Sequence, residues 1–303
     1  MSTSETPIDA VIERVRRVYR GWHRQTPVTQ MRGDWDALFA TGLGDATTET
    51  VDADGVPCRW IAASGVRTDA AILYLHGGGF QVGSTASHAE LMAALSRATQ
   101  CRVLGVDYRL APENTLDDAI EDVAMAYRWL CRRPCASRTV VIGDSAGGNL
   151  ALTLAIAARD CVDGTMSDAH ALVLMSPWVD MTASGESYET RSAADPIHQR
   201  AMIQALARKC LGPSYATGDP RASPLFAQLA GLPSMLIQVG DRETLLSDAT
   251  RLADRARDAG VPVSLQVWDG MIHVFQQFPN ELREARDAID AIGDFVAVQL
   301  DHP

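Results

Sequence analysis

The sequence predicts an α/β fold: a mostly parallel sheet with helices on both faces, plus extra helical segments outside the regular alternation. Two observations predict it. Short apolar runs recur along the chain, at residues 70–75, 102–106, 139–142, 171–175, 234–239 and 263–267. Stretches with apolar residues at helical spacing separate them, at 88–98, 117–131, 150–158 and 247–259. Strands that are apolar on both faces and alternate with helices are the mark of a parallel sheet buried on both sides.

The elements follow in order. Residues 7–22 read as an amphipathic helix with Thr6 as its N-cap and Pro7 at its first position. Ile8, Val11, Ile12, Val15, Val18 and Trp22 fall on one face, and Glu13, Arg14, Arg16, Arg17 and Arg20 on the other. Such a basic amphipathic helix can lie on a membrane surface, but packing of its apolar stripe on the body of the protein is favoured. A second short helix is expected around Trp35, Leu38 and Phe39, starting at Gly33-Asp34. From Thr47 the apolar period becomes two. Residues 48–51 and 56–62 read as a hairpin turning at Asp52-Ala53-Asp54-Gly55, which supplies an antiparallel edge. The alternation of strand and helix then runs to a final helix at 280–300 and is broken once, at about 180–224. That excursion holds a helical stretch at 197–211, bounded by Asp195-Pro196 and Gly212-Pro213, and insertions of this size are commonly lids or binding elements.

Composition narrows the function. The chain has 303 residues, enough for a sizeable core, and a net charge of −11, which disfavours nucleic acid as a partner. Lys209 is the only lysine. No apolar run approaches the length of a bilayer span, so no stable membrane insertion is expected. Residues 1–7 are polar and read as lacking a signal peptide. Six cysteines (Cys58, Cys101, Cys131, Cys135, Cys161, Cys210) are scattered. Cys131 and Cys135 have no accompanying His cluster, so reduced thiols in a cytoplasmic protein are expected, with no metal site.

The chemistry centres on Gly143-Asp144-Ser145-Ala146-Gly147, a G-x-S-x-G between a buried strand and a helical run. A serine on a sharp strand-to-helix turn is held at the top of a sheet with its hydroxyl exposed. A serine hydroxyl is a poor nucleophile and needs a base, a group that orients the base, and oxyanion donors. Of the seven histidines, His302 lies in the terminal tail and His23, His88, His170 and His198 sit on or beside helices, a strand or the insertion. His273, in a loop after the last strand, has the chain order expected of the base. His76-Gly77-Gly78-Gly79-Phe80 follows the first parallel strand, where consecutive glycines let backbone N–H groups converge; His76 is read as ordering this loop. The spacing is not that of a nucleotide-binding loop.

The set formed by residues 76–80, Asp107-Tyr108-Arg109-Leu110-Ala111-Pro112-Glu113, Gly143-Asp144-Ser145-Ala146-Gly147-Gly148-Asn149 and Gly270-Met271-Ile272-His273-Val274-Phe275 resembles the hormone-sensitive-lipase family of α/β-hydrolases, the bacterial family IV esterases. The likeness covers about residues 45–300. It implies an α/β-hydrolase fold with an eight-stranded, mostly parallel sheet, and a helical cap made of residues 1–45 and 181–224 on a catalytic domain of 46–180 and 225–303. It also implies Ser145 as nucleophile, His273 as base, and the N–H groups of Gly78, Gly79 and Ala146 as oxyanion donors, with no cofactor. Two positions depart from the family pattern. Asn114-Thr115-Leu116-Asp117 replaces a proline-bearing aromatic stretch, a change expected to affect local loop rigidity. The acid motif reads Gly240-Asp241-Arg242-Glu243-Thr244-Leu245; aligning on the leucine favours Glu243 over Asp241, and Glu243 precedes His273 by the family's usual spacing. The implied activity is hydrolysis of short- to medium-chain carboxylic esters under apolar cap residues (Trp22, Trp35, Phe39, Met202, Leu206). The alternatives are a deacetylase of a small N- or O-acetylated metabolite and a non-catalytic ligand-binding receptor. Receptors of this type have lost the histidine that is kept here as His273. A homodimer through the last strand, residues 263–267, is a further expectation.

Overall fold

The computed structural model describes residues 6–23, 25–39, 42–134, 138–213 and 215–301. Residues 1–5, Cys135 and His302, each considered above, lie outside them. In chain order the elements are α1 (Pro7–Gly21), α2 (Val28–Leu38), β1 (Thr47–Ala53), β2 (Val56–Ala62), β3 (Ala71–Leu75), α3 (Ala89–Thr99), β4 (Arg102–Val106), α4 (Leu116–Cys131), β5 (Thr139–Asp144), α5 (Ala146–Arg159), β6 (Ala171–Met175), α6 (Ser187–Thr190), α7 (Arg200–Leu211), β7 (Met235–Gly240), α8 (Leu246–Asp258), β8 (Val263–Trp268) and α9 (Arg283–Asp301). Single 3₁₀ turns lie at Pro224–Phe226 and Phe275–Gln277.

The eight strands form one sheet in the order β1-β2-β4-β3-β5-β6-β7-β8. β1 pairs with β2, and β2 with β4, antiparallel; every other pairing is parallel. The two-residue period of the strands divides the core. Ile72, Tyr74, Val140, Ile142 and Val173 face α3 and α9. Leu73, Leu75, Val141, Leu172 and Leu174 face the side covered by α4, α5 and α8. Burying each of the larger apolar side chains is worth about 1.5–3 kcal/mol before entropy is set against it.

After β3 the chain steps out to β4 and then returns to the other side of β3 as β5. Open parallel sheets bind ligands beside such a reversal, outside the carboxyl ends of the strands. The glycine loop leaves β3 there and Ser145 leaves β5. The two strands are in register, Leu75 opposite Gly143. Close approach of α5 to β3 requires Gly147, where a Cβ would lie 1.9 Å from the Leu75 carbonyl oxygen.

α1 starts as read from the sequence: Thr6 caps it, with the Thr6 and Asp9 side chains bonded to each other's backbone N–H. The α2 expectation needs correction, because the helix begins at Val28 after Pro27 and Gly33 lies inside it. Nothing lies within 4 Å of a Cβ at Gly33, so this glycine marks neither a turn nor a close contact. The insertion helix begins at Arg200 rather than 197, because the Asp195 carboxylate holds the N–H groups of Ile197 and His198 in a turn, at 2.8 Å each. α1 and α2 form a third apolar cluster with the loop around His273, through Val11, Val15, Trp35, Phe39, Ile272 and Phe278. At the departure 114–117, Thr115 caps α4: its N–H and hydroxyl both donate to Asp118 at 2.8 Å.

Candidate active site

Ser145 sits between β5 and α5 with φ 51° and ψ −116°, a left-handed backbone that a side chain adopts only under constraint. The constraint is visible. Its N–H donates to the Met175 carbonyl at 2.9 Å, and its own carbonyl accepts from Trp178 N–H at 3.0 Å and Asn149 N–H at 3.2 Å. The side chain of Asn149 in turn donates to the carbonyls of Trp178 and Ala222, at 3.0 and 2.9 Å. The strained turn is thus tied to neighbouring backbone on several sides.

His273 follows β8, and its Nδ1 lies 2.7 Å from Oε2 of Glu243. A carboxylate only accepts, so Nδ1 carries the proton and Nε2 is left as the basic nitrogen. Burial pulls the His273 pKa down, but the Glu243 carboxylate, with smaller help from Asp195 and Asp144, outweighs it and the net shift is upward. Glu243 is fully buried, and its other oxygen accepts from Ser176 Oγ at 2.7 Å and Gly240 N–H at 2.6 Å. Ser176 also accepts the Val274 N–H at 3.1 Å, fixing the residue after His273. Asp241 is turned elsewhere and accepts the Gly270 N–H at 2.8 Å. The structure brings Glu243, and not Asp241, to His273. Ser176 had no signal in the sequence beyond its place at the end of a strand.

In the glycine loop, Gly77 N–H donates to Asp144 Oδ1 at 3.0 Å. Among the described residues no protein group accepts from the N–H of Gly78, Gly79 or Ala146. Gly78 has φ 116°, which an L side chain rarely adopts, and a Cβ there would meet the Val82 carbonyl at 2.1 Å. The loop rests on a buried polar layer. His76 stacks on Tyr108 with ring centroids 4.3 Å apart, and its Nδ1 bonds to the Gly77 carbonyl at 2.7 Å. Burial and the neighbouring His88 lower the His76 pKa to about 4, so this ring is neutral at pH 7. The Tyr108 hydroxyl donates to the His76 carbonyl at 2.6 Å, and Ala111 N–H to the Phe80 carbonyl at 2.7 Å. The segment 107–113 therefore braces the glycine loop. Asp144 accepts from the Tyr74 hydroxyl at 2.6 Å and lies 3.6 Å from His88 Nε2. Burial acts to raise its pKa, but His88 and Tyr74 prevail and the carboxyl stays below its ordinary value.

Ser145, His273, Gly78 and Gly79 open on a common cavity of about 90 Å³. Its other walls come from α1 (Val15, Tyr19), α2 (Met31, Trp35) and α7 (Met202, Ile203, Leu206), with Trp22 and Phe39 just beyond the ends of α1 and α2. All five apolar residues expected to line a pocket do so. Leu206 sits over Gly79, 3.0 Å from where a Cβ would be. His198, set aside in the sequence as an insertion residue, stands edge-on to His273 with centroids 4.4 Å apart. Burial and the adjacent His273 lower its pKa to about 3, against the pull of Asp195. Asp195 joins two parts of the wall: one oxygen holds the backbone of 197–198, and the other accepts from Thr244 N–H and Oγ at 2.8 and 3.0 Å, next to Glu243. Among the described residues no group of three or more His, Cys, Asp or Glu side chains is placed to hold a metal ion.

A family model described as the alpha/beta hydrolase fold matches residues 72–277. An acetyl-hydrolase of Streptomyces hygroscopicus is 38% identical over 294 residues, spanning 94% of this chain and 95% of that protein. An esterase of Acinetobacter venetianus is 38% identical over 231 residues, spanning 76% and 75%. The crystal structure of an esterase from the bacterial hormone-sensitive lipase family superposes with a TM-score of 0.92 at 41% identity, over 99% of this chain and 100% of that one. A serine turn, a glycine loop and a carboxylate-bound histidine gathered at one end of such a sheet make this chain an α/β-hydrolase. Within that fold it belongs to the hormone-sensitive-lipase family, a family of ester-cleaving enzymes.

Proposed function

We propose that the protein hydrolyses short- to medium-chain carboxylic esters through a serine acyl-enzyme. The observation that carries the mechanism is the 2.7 Å contact of His273 with Glu243 in a cavity that also exposes Ser145 on its strained turn. Ser145 Oγ attacks the ester carbonyl carbon while His273 Nε2 takes its proton. Glu243 holds the imidazole in the required tautomer and stabilises the imidazolium. The oxyanion accepts from the N–H groups of Gly78, Gly79 and Ala146, the last at the N-terminus of α5, where the helix dipole favours negative charge. Collapse of the intermediate expels the alcohol, which takes the proton from His273. Water then repeats the sequence on the acyl-enzyme, releasing the acid and restoring Ser145. None of these steps requires a cofactor.

The substrate range is part of the proposal. A cavity of about 90 Å³ is smaller than the ~150 Å³ that accommodates benzene in an engineered protein core. That size supports a small acyl or alkoxy group. Residues 1–45 and 181–224 act as a cap in this reading, since α1, α2 and α7 supply the apolar walls. Release of acetyl groups from a small N- or O-acetylated metabolite is the second reading, favoured by the likeness to an acetyl-hydrolase. The same apparatus serves both. A receptor function is disfavoured by the intact His273–Glu243 contact.

Among the described residues no helix is long and apolar enough to cross a membrane. A cytoplasmic location is proposed from the five free cysteines among them. A homodimer through the outer strand β8 is proposed from its place at the sheet edge, where Val267 is 47% exposed.

The test is turnover of p-nitrophenyl butyrate by the purified protein and its Ser145→Ala variant. The reading expects hydrolysis by the first and none above background by the second. Equal rates would remove the mechanism.

A further inference from the structure

The catalytic wall of the cavity is polar by necessity, but the remaining wall is apolar except for a few side chains. Three of these, Gln81, Trp35 and Trp178, carry hydrogen-bond donors whose identity is chemically fixed. Gln81 follows the glycine loop and is 3% exposed. Its Oε1 accepts from the Lys209 ammonium at 3.0 Å, across from α7. An ammonium only donates, so the amide cannot be flipped: the oxygen faces Lys209 and the NH₂ faces away from it. That Nε2 is buried and has no hydrogen-bond partner. Trp35, on α2, is 9% exposed, and its Nε1–H, which can only donate, is likewise buried and unpartnered. Both residues line the cavity that holds Ser145. The Nε1–H of Trp178, in the same lining, is buried and unpartnered as well. Buried donors in folded proteins are nearly always satisfied, so unpaired donors grouped around one ligand cavity point to an acceptor from outside the chain.

We infer that the cavity is built for an ester bearing a second acceptor oxygen (an ether, ketone or amide carbonyl) in its acyl or alkoxy chain, with Gln81 and Trp35 as the residues that select for that oxygen. The inference rests on the ester-hydrolase reading above and deepens it. A plain alkyl ester of the same shape leaves both donors unpaired, and sites built to bond an oxygen discriminate against analogues that lack it.

The experiment uses two isosteric pairs on the full-length protein. One is p-nitrophenyl 4-oxopentanoate against p-nitrophenyl 4-methylpentanoate; the other is 2-methoxyethyl butanoate against n-butyl butanoate. For each pair the ratio of kcat/KM values is compared among wild type, Gln81→Glu and Trp35→Phe, so that intrinsic ester reactivity cancels. Gln81→Glu keeps a partner for Lys209 and removes the donors; Trp35→Phe keeps an aromatic ring and does not depend on Gln81. The expected result is a fall in the oxygen-to-alkyl ratio of roughly 3- to 10-fold for each variant on at least one pair, the range of one neutral hydrogen bond. Ratios in both variants within about twofold of wild type on both pairs, just under the roughly 2.3-fold that the weakest such bond gives, overturn the inference. If hydrolysis of all four esters is lost in Ser145→Ala while the ratios stay flat, only this inference fails. If Ser145→Ala cleaves them at the wild-type rate, the ester-hydrolase mechanism itself fails.

Discussion

His273 Nδ1 and Glu243 Oε2 are 2.7 Å apart, while the carboxylate of Asp241, two residues before Glu243, is spent on the Gly270 N–H. The two acids therefore differ in what their loss does. Glu243→Gln is expected to lower kcat for p-nitrophenyl butyrate by roughly 10²- to 10⁴-fold, as loss of the orienting carboxylate does in serine hydrolases. Asp241→Asn is expected to change it little. The reverse order of damage would place the acid at Asp241.

The pH profile carries the same contact. His273 acts as a base only when Nε2 is unprotonated, and Glu243 raises its pKa. The kcat/KM of the wild type is thus expected to fall as the pH drops through that raised pKa. In Glu243→Gln the main charge that favours imidazolium is gone, while burial and the weaker pull of Asp195 and Asp144 remain, so the acidic limb moves to lower pH while the plateau falls. A limb that stays in place or moves to higher pH would contradict the assignment.

Asp195 bridges the turn at 197–198 and the loop carrying Glu243. Asn at this position keeps one acceptor but turns an NH₂ toward groups that are themselves donors. Asp195→Asn is expected to cost on the order of tenfold in kcat, the smaller effect of a group acting through its neighbours. A wild-type kcat in a folded variant would show that the bridge does not position the site.

What the sequence made legible was local. Ser145, Gly78, Gly79 and His273 lie in short motifs whose residue types are dictated by a turn or by chemistry. Glu243 could be set against Asp241 because a leucine two positions on fixed the register. Ser176, Asp195, Gln81 and His198 act through partners far away in the chain: Ser176 and Glu243 are 67 residues apart, Asp195 and Thr244 are 49, Gln81 and Lys209 are 128. No periodicity encodes such pairs. Gly33-Asp34 looks like a helix boundary in the sequence yet lies inside α2, since an exposed helical glycine costs only about 1 kcal/mol. α6, at four residues, is too short to show a period.

The buried neutral histidines set the acid side of stability. His76 and His198 have folded pKa values of about 4 and about 3, against about 6.5 unfolded. Between those values the unfolded chain binds protons that the folded chain refuses, so stability falls with pH, beginning near 6.5 and ending at the folded values. His273, raised when folded, contributes with the opposite sign, and its stabilisation is lost as pH rises. Urea midpoints measured from pH 7 to 4 are expected to decline, and His198→Phe to flatten the decline. An equal slope in the variant would mean that His198 is protonated in the folded protein.

The central claim is that Ser145, His273 and Glu243 work as one unit, and covalent trapping tests it most directly. The protein is incubated with a p-nitrophenyl phosphonate ester and digested, and the labelled peptide is mapped by mass spectrometry. The account predicts one label per chain, on Ser145, forming at least about 100-fold more slowly in Glu243→Gln. A label on another residue, or labelling of Ser145 at an unchanged rate in Glu243→Gln, would contradict it.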